Sequence, residues 1–356
     1  MTKLFLVEKF AADKPLVALV SILRGEPPAV GNTLFLSSAA QTAVITSAQL
    51  VSTPAEADYF LIPQAVTALT PAVNRYLDEI RELAKASKKK MIVFIGGDLS
   101  HNIFIDDMIV LKGSQYSRLK RANEIIVPPL VEDLSPEANQ PLAGGIKIRL
   151  KADQPTVGFC GWAAAGNLAG WLKYWFKNLK PGSVVFRKGL YFRRRAIKAL
   201  KQSNLVKTNF LIRRSFSGNL KTASGDPAKL RREYLENIVN SDFILAPKGD
   251  GNFSLRFYET LSAGRIPVLI DTDCVLPLEG EINYDEVMVR VPYRQIAQIG
   301  GIVNNWYRQL SPKEWAEKQK SARRLFAERL RYDQFFNLLL ARPLEDWLQA
   351  RSSVEI

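Results

Sequence analysis

Arg256 and Glu259 lie three positions apart in the segment PKGDGNFSLRFYETLSAGRIPVLID, which spans residues 247–271. Arginine suits bidentate contact with phosphate oxygens. A carboxylate would be repelled by phosphate, but it accepts hydrogen bonds from a neighbouring diol, as acidic residues do from a ribose. Gly249 and Gly251 let the preceding loop turn tightly and approach a ligand. These residue types at this spacing predict a nucleotide or sugar-phosphate site.

A helix from about Ser254 to Ala263 must position this pair. Asn252 or Ser254 is expected to cap its N-terminus, and Gly264 is expected to end it. The free N–H groups of the first turn face the loop, where Lys248 adds a full positive charge. The start of the helix is therefore a predicted anion site.

The same pair has a simpler interpretation, an ion pair on the surface of an ordinary amphipathic helix. Such pairs are common and contribute only about 0.3–0.5 kcal/mol. The glycine spacing does not separate the two interpretations, because it matches neither a P-loop nor a complete GxGxxG fingerprint. Both stay open at this point.

Short apolar runs alternate with helical patterns, which predicts parallel sheets covered by helices. The first series of predicted strands lies at 3–7, 33–37, 58–63, 91–96 and 124–129, with a helix at 71–90. A polar linker is predicted at 133–155. The second series lies at 156–161, 183–189, 209–214, 242–247, 266–271 and 287–292, with a helix at 227–241 and two or three helices from 311 to 353.

These two series predict an α/β protein with two Rossmann-like domains that face a cleft. The predicted domains are residues 1–150 and residues 151–310, and C-terminal helices at 311–356 are expected to pack across both. Ligands of open α/β sheets bind beyond the carboxyl ends of the strands. Residues 248–253 directly follow the predicted strand 242–247, so the candidate site falls at such an end.

The charge of the chain is strongly positive and unevenly distributed. Its 356 residues carry a formal net charge of +14, and residues 187–232 hold fourteen Lys/Arg against one acid. Such a block favours an anionic partner: nucleic acid, an anionic lipid surface or a phosphorylated small molecule. A solvated basic face without a partner is the alternative.

Two cysteines and one histidine exclude a disulfide framework and a zinc site of the usual Cys/His type. Cys160 and Cys274 are therefore expected to be buried apolar residues. The N-terminus is too short and too charged for a secretory signal, and prolines, glycine and amides interrupt residues 27–55. These features predict a soluble intracellular protein.

The segment 234–277 closely resembles the signature of exostosin-family glycosyltransferases. The matching residues are Tyr234, Ser241, Phe243, Leu245, Pro247, Gly249, Ser254, Arg256, Glu259, Gly264, Ile266, Pro267, Val268, Leu276 and Pro277. Looser resemblance lies at 57–63, 95–104, 124–129 and 157–162. Two cysteines frequent in that signature are Ile244 and Arg265 here, which fits a reducing compartment and a soluble, bacterial-type member.

The resemblance implies a GT-B architecture and inverting sugar transfer from a nucleotide sugar to a glycan or lipid-linked acceptor, in polysaccharide biosynthesis, without a bound metal or other cofactor. Glu259 would hold the donor ribose. The diphosphate would be held by Lys248, Gly249, Asp250, Gly251, Asn252, Phe253, Ser254 and Arg256. A cation beside a helix N-terminus stabilises such a leaving group without a metal.

The acceptor hydroxyl must also lose a proton to a base, which should come from the first domain. Asp98 and His101 follow the predicted strand 91–96 and are the candidates, with Asp106 and Asp107 behind them. A purely structural, hydrogen-bonding role for the histidine is the alternative.

Other strand ends of the second series supply further candidate donor contacts. Arg187 and Arg213 each belong to a basic pair at a predicted strand end and are expected to reach the diphosphate. Gly161 and Trp162 follow the first strand, where the glycine lets a ligand approach and the tryptophan stacks on a sugar or packs in the core. Exposed basic side chains without a ligand are the alternative for the arginines.

Two other functions stay open from the sequence. A catalytically silent carbohydrate or nucleotide binder would keep Arg256 and Glu259 without a working base. A polyanion or nucleic-acid binder would explain the basic block, but no nucleic-acid motif supports it, so no nucleic-acid partner is expected. We favour docking of the block on an anionic membrane that presents a lipid-linked acceptor, which predicts a cytoplasmic protein peripheral to the inner membrane face.

Overall fold

Two parallel sheets follow one another along the chain. The computed structural model describes residues 1–29, 42–97, 100–134, 146–163, 184–215 and 225–349. The strands are β1 (Thr2–Leu6), β2 (Ala48–Val51), β3 (Tyr59–Leu61), β4 (Lys90–Ile95), β5 (Ile109–Lys112), β6 (Glu124–Ile126), β7 (Thr156–Trp162), β8 (Lys207–Arg213), β9 (Phe243–Ala246), β10 (Ile266–Asp271) and β11 (Val289–Pro292). The first sheet has the order β2-β1-β3-β4-β5-β6 and the second β11-β10-β9-β7-β8, with all their pairings parallel.

Helices connect these strands and cover the sheets. They are α1 (Ala18–Leu23), α2 (Pro71–Ser87), α3 (Gly189–Gln202), α4 (Pro227–Val239), α5 (Leu255–Ser262), α6 (Ile299–Arg308), α7 (Pro312–Leu325), α8 (Tyr332–Leu339) and α9 (Leu344–Gln349). The predicted α/β fold with two Rossmann-like sheets is therefore confirmed. Within the described ranges, no helix is long and apolar enough to cross a lipid bilayer.

Some predicted elements differ from the structure. The strand predicted at 183–189 is wrong, because a 3₁₀ turn at Val184–Phe186 leads directly into α3. The N–H of Gly189 donates to the carbonyl of Gly249 at 3.0 Å, so this segment ends on the loop after β9 and not in the sheet. β2 and β5 were not predicted. The strand predicted at 33–37 lies outside the described residues.

The C-terminal helices pack on both sheets. On α7, Trp315 is fully buried in the core of the second sheet, with its ring 5.5 Å from that of Phe243. On α8, Phe336 is fully buried in the core of the first sheet, with its ring 6.1 Å from that of Phe94. Because α7 and α8 are consecutive helices, this segment ties the two sheets together.

The two halves also meet at the carboxyl ends of their strands, where loop 113–118 follows β5. The N–H of Val275 donates to the carbonyl of Gln115 at 3.2 Å, and the N–H of Ser117 donates to that of Asp273 at 2.9 Å. Arg118 forms an ion pair with Asp273 at 2.6 Å. These contacts fix loop 113–118 against the loop that follows β10.

Lys248 extends this junction below the surface. Its side chain is 2% exposed, and Nζ donates to the hydroxyl of Tyr116 and to the carbonyl of Val185, both at 2.8 Å. Burial lowers the pKa of Lys248 to about 8. Nζ also lies over the rings of Tyr116 and Phe192, at 5.1 and 5.5 Å. The lysine predicted to charge an open loop instead joins the two halves.

The C-terminus of α5 is fixed by a buried arginine. Gly264 follows the helix with φ +63°, the left-handed conformation expected at this position. Arg265 is 1% exposed, and its guanidinium donates to the carbonyls of Val239 at 2.9 Å and Lys147 at 2.8 Å. Burial lowers the pKa of Arg265 to about 10. This arginine therefore connects α5, the end of α4 and the segment before β7.

Replacing Arg265 with alanine is expected to lower the free energy of unfolding by about 3 kcal/mol, because it leaves buried carbonyls without donors and opens a cavity. Chemical denaturation followed by tryptophan fluorescence measures this change. Arg308→Ala is the control, since Arg308 is exposed on α6, and it should change stability by less than about 0.5 kcal/mol. Equal effects of the two variants would contradict the proposed role of Arg265.

Lys248 should make stability rise with pH. Its ordinary pKa of 10.5 is lowered to about 8 in the folded protein. Between these values the folded state releases the proton before the unfolded state does, so folding is favoured as pH rises. The difference in unfolding free energy between wild type and Lys248→Met should therefore grow from about pH 7 to about pH 10. Lys313→Met, at an exposed position on α7, should show no such trend, and a flat difference for Lys248→Met would refute the assignment.

Candidate active site

Arg256 lies in the first turn of α5 and reaches the carboxyl end of β7. Its Nη2 donates to the carbonyl of Cys160 at 2.8 Å, and its guanidinium lies 4.5 Å over the ring of Phe159. Nε is buried without a hydrogen-bond partner. Among the described residues no carboxylate forms an ion pair with Arg256, so its charge stays available to an anion.

Gly161 makes this approach sterically feasible. The residue has φ +152°, and a Cβ atom there would lie 2.9 Å from Nη2 of Arg256. The predicted close approach at this glycine therefore exists, but the approaching group is a guanidinium of the protein. Trp162, the next residue, keeps 36% of its surface exposed.

A second guanidinium, from Arg193 on α3, joins this site. Its Nη1 donates to the carbonyl of Trp162 at 2.6 Å, and it lies 5.8 Å from the centre of the Phe159 ring. Its Nε is also buried without a hydrogen-bond partner. Burial, and next the positive charge of Arg256, lower the pKa of Arg193 to about 10.

The sequence did not single out Arg193. It is the first of three consecutive arginines in a basic block. It differs from the other two only in the direction in which its side chain leaves the helix. Its position four residues after the buried Gly189 and one after the buried Phe192 is the signal that points it inward.

Glu259 is held one turn further along α5. Its Oε2 accepts a hydrogen bond from the hydroxyl of Tyr234 at 2.5 Å, and its Oε1 lies 3.6 Å from Nη1 of Arg231. Arg231 also pairs with Glu132. Burial raises the pKa of Tyr234 well above its ordinary value, so this hydroxyl remains a donor. Glu259 and Arg256 form no ion pair with each other, and the interpretation of a simple surface pair is therefore wrong.

The loop between β9 and α5 satisfies most of its own polar groups. The N–H of Gly249 donates to the carbonyl of Phe253, and the carbonyl of Gly249 accepts from the N–H of Gly189. The exposed Asp250 pairs with Lys188 at 3.0 Å. Gly251 lies against the Phe253 ring. With Lys248 buried as well, the loop serves as a rigid support.

Asn252 and Ser254 flank the start of α5 without forming the expected side-chain cap. The Asn252 amide is buried, with Oδ1 accepting from the Thr272 hydroxyl at 2.6 Å and Nδ2 donating to the carbonyl of Gln115 at 3.2 Å. Ser254 occupies the N-cap position, and its side chain makes no capping hydrogen bond. The first turn therefore keeps unoccupied backbone donors next to Arg256.

The other two predicted donor contacts do not join Arg256. The guanidinium of Arg187 lies 4.6 Å over the ring of Tyr191. Arg213 ends β8 as predicted, but its Nη2 donates to Glu233 at 3.0 Å and to the carbonyl of Leu230 at 2.9 Å. Arg213, which was expected to reach the diphosphate, therefore pairs with the carboxylate of Glu233 on α4.

His101 comes from the first half and faces the second. It lies in a 3₁₀ turn at Ser100–Asn102, and its ring is 5.2 Å from that of Tyr116 and 6.2 Å from that of Phe186, nearly parallel to the latter. The buried Lys112 supports this turn, since Nζ donates to the carbonyl of Ile103 at 2.9 Å. The histidine therefore sits where the two halves meet.

The carboxylates named with His101 are placed differently. Asp98 lies outside the described residues. Asp106 pairs with Arg121, and Asp107 pairs with Arg81, which holds the pKa of Asp107 below its ordinary value. These two ion pairs leave His101 as the candidate base within the described part of the chain. In that part, no group of three or more His, Cys, Asp or Glu side chains could hold a metal ion.

Parts of this chain are similar to known proteins. Residues 171–306 match the Exostosin GT47 domain. Exostosin-1 of Drosophila melanogaster is 37% identical over 75 residues, which are 21% of this chain and 10% of that protein. The Exostosin-1 homolog of Caenorhabditis elegans is 33% identical over 101 residues, or 28% of this chain and 25% of that protein. The chain thus spans a quarter or less of the curated relatives it matches.

Solved structures show weaker likeness. A glycosyltransferase from Rickettsia africae ESF-5 is 11% identical, with 99% of both chains covered and a TM-score of 0.38. TarM is 13% identical, with 78% of this chain and 57% of that chain covered and a TM-score of 0.31. The likeness therefore depends on sequence: residues 171–306, which include the signature around β9 and α5, match the Exostosin GT47 domain, and parts of the chain are similar to exostosin-1 proteins.

Proposed function

We propose that the protein transfers a sugar from a nucleotide-sugar donor to a hydroxyl of a glycan or lipid-linked acceptor, with inversion and without a metal. The observation that carries this proposal is the pair of guanidinium groups of Arg193 and Arg256 beside Phe159, with buried Nε atoms that have no hydrogen-bond partner. Two like charges held together in a partly buried site are stabilised by an anion between them.

The donor diphosphate fits this pair. Guanidinium groups bind phosphate oxygens with two parallel hydrogen bonds, and the N-terminus of α5 adds backbone donors beside Arg256. As the bond between the anomeric carbon and the diphosphate oxygen breaks, negative charge grows on the leaving group. Preorganised cations stabilise that charge most strongly in the transition state, which is how they would replace a metal.

In this proposal Glu259 binds the ribose. It lies three residues after Arg256, so the two side chains emerge from the same face of α5. Tyr234 and Arg231 orient its carboxylate and occupy only part of its acceptor capacity. The remaining lone pairs are those that a ribose diol would use.

His101 is our candidate for the base. It belongs to the half opposite the two arginines, and an inverting attack would need a base on the face of the anomeric carbon opposite the diphosphate. The acceptor oxygen would form the new bond to that carbon while its proton passes to the imidazole. Asp98 remains the second candidate.

Binding of nucleotides tests the donor site directly. In the presence of EDTA, one of UDP or GDP should raise the melting temperature, and Arg193→Ala and Arg256→Ala should each weaken its binding about tenfold or more, because each loses charge-assisted hydrogen bonds. Glu259→Ala should weaken binding of the nucleoside diphosphate and of the free nucleoside to the same extent. Arg232→Ala, at an exposed position on α4, is the control and should bind normally. Failure of both nucleotides to bind wild type would refute the proposal.

Turnover tests the base. With the donor identified by binding, release of the nucleoside diphosphate should fall about a hundredfold or more in His101→Gln, while the Kd of the nucleotide stays unchanged. Asp98→Asn is measured in parallel. Normal turnover of His101→Gln together with a loss in Asp98→Asn would assign the base to the aspartate.

A further inference from the structure

One side of α3 exposes a row of basic side chains away from the nucleotide site. Tyr191, Arg195, Lys198 and Gln202 recur at intervals of three or four residues, so they lie on one face of the helix. We call this set the α3 stripe. It extends for about 16 Å at 1.5 Å per residue. The opposite face of α3 buries Phe192, Ala196 and Leu200 in the core, which fixes the stripe toward solvent.

The cations of the stripe have no acidic partners among the described residues. Nη1 of Arg195 donates to the hydroxyl of Tyr191 at 2.6 Å, and the nearby Arg187 stacks on the same ring. By contrast, Arg81 and Lys85 on α2 form ion pairs with acidic residues at 2.6–2.8 Å. Arg195 and Lys198 thus keep a positive charge that Arg81 and Lys85 share with carboxylates.

A cavity of about 520 Å³ lies beside the second half of the stripe, between α3 and the start of α6. Arg195, Lys198 and Gln202 form its polar side. Leu205 and Ile296 form an apolar side, and Leu205 is 42% exposed. Cations beside exposed apolar surface suit the boundary between lipid headgroups and acyl chains.

We propose that the α3 stripe docks on an anionic phospholipid surface, with headgroup phosphates on Arg195 and Lys198 and with Leu205 at the level of the first acyl carbons. Nucleic acid suits this surface less well, because the ring of Tyr191 is already covered by guanidinium groups and cannot stack on bases. The helix also starts at Gly189, which bonds to Gly249 in the loop after β9. If the proposed function holds, docking here brings the site close to lipid-linked acceptors.

Vesicle binding tests the stripe. The full chain is sedimented with phosphatidylcholine vesicles that contain about 30% phosphatidylglycerol, at low and at high salt. Wild type should bind at low salt and be released at high salt. The double variant Arg195→Gln with Lys198→Gln should bind about 25-fold more weakly, since each cation near the surface is worth about a fivefold change in partitioning.

The control removes the same charge elsewhere. Arg75→Gln with Lys313→Gln neutralises exposed cations on α2 and α7 and should bind vesicles as wild type does. Failure of wild type to bind, or equal losses in the two double variants, would overturn the proposal. So would tighter binding to a single-stranded oligonucleotide than to vesicles at the same salt, when that binding is also lost in the stripe variant. Nucleotide-induced thermal shifts, measured on the same samples, report on folding and on the donor site separately.

Discussion

The guanidinium groups of Arg193 and Arg256 lie over the same ring, that of Phe159 in β7. The rest of the site depends on holding these two positive charges together. Arg193 and Arg256 each donate to a backbone carbonyl and each keep a buried Nε without a partner. Carbonyls orient a guanidinium without neutralising it, whereas a carboxylate would cancel its charge. The lowered pKa of Arg193 reflects the cost of this arrangement. An anion between the two groups would offset that cost.

Several features of the fold serve this placement. Gly161 leaves room for the guanidinium of Arg256, and the left-handed Gly264 ends α5 after two turns. Tyr234 and Arg231, from α4, hold Glu259 away from Arg256. Without these partners the carboxylate would be free to pair with the arginine three residues before it.

The junction between the halves depends on burial in a different way. The buried Nζ of Lys248 donates to one hydroxyl and one carbonyl instead of to water. This side chain reaches from the loop after β9 to Tyr116 of the first half. The same tyrosine contacts His101 and Phe186. The loop after β9 and the candidate base His101 are therefore both held by contacts with Tyr116. The C-terminal helices hold the other side of the second sheet against the first, and Arg265 fixes α5 to α4 and to the segment before β7.

The sequence by itself determined the alternation of strands and helices, the helix that carries Arg256 and Glu259, its end at Gly264, and the resemblance to exostosins. These follow from local rules, namely apolar periodicity, capping and left-handed backbone, which need only neighbours in the chain. Tertiary structure alone decided which cations serve the site. Long basic side chains are equally compatible with solvent, an ion pair or a buried hydrogen bond, and only their surroundings choose. Lys248 is buried against Tyr116, and Arg213 forms an ion pair with Glu233. Arg193 lies close enough to Arg256 to feel its charge. In each case an element distant in sequence supplies the neighbouring group. The turn at Val184–Phe186 replaced a predicted strand for the same reason, since it ends against the backbone of Gly249.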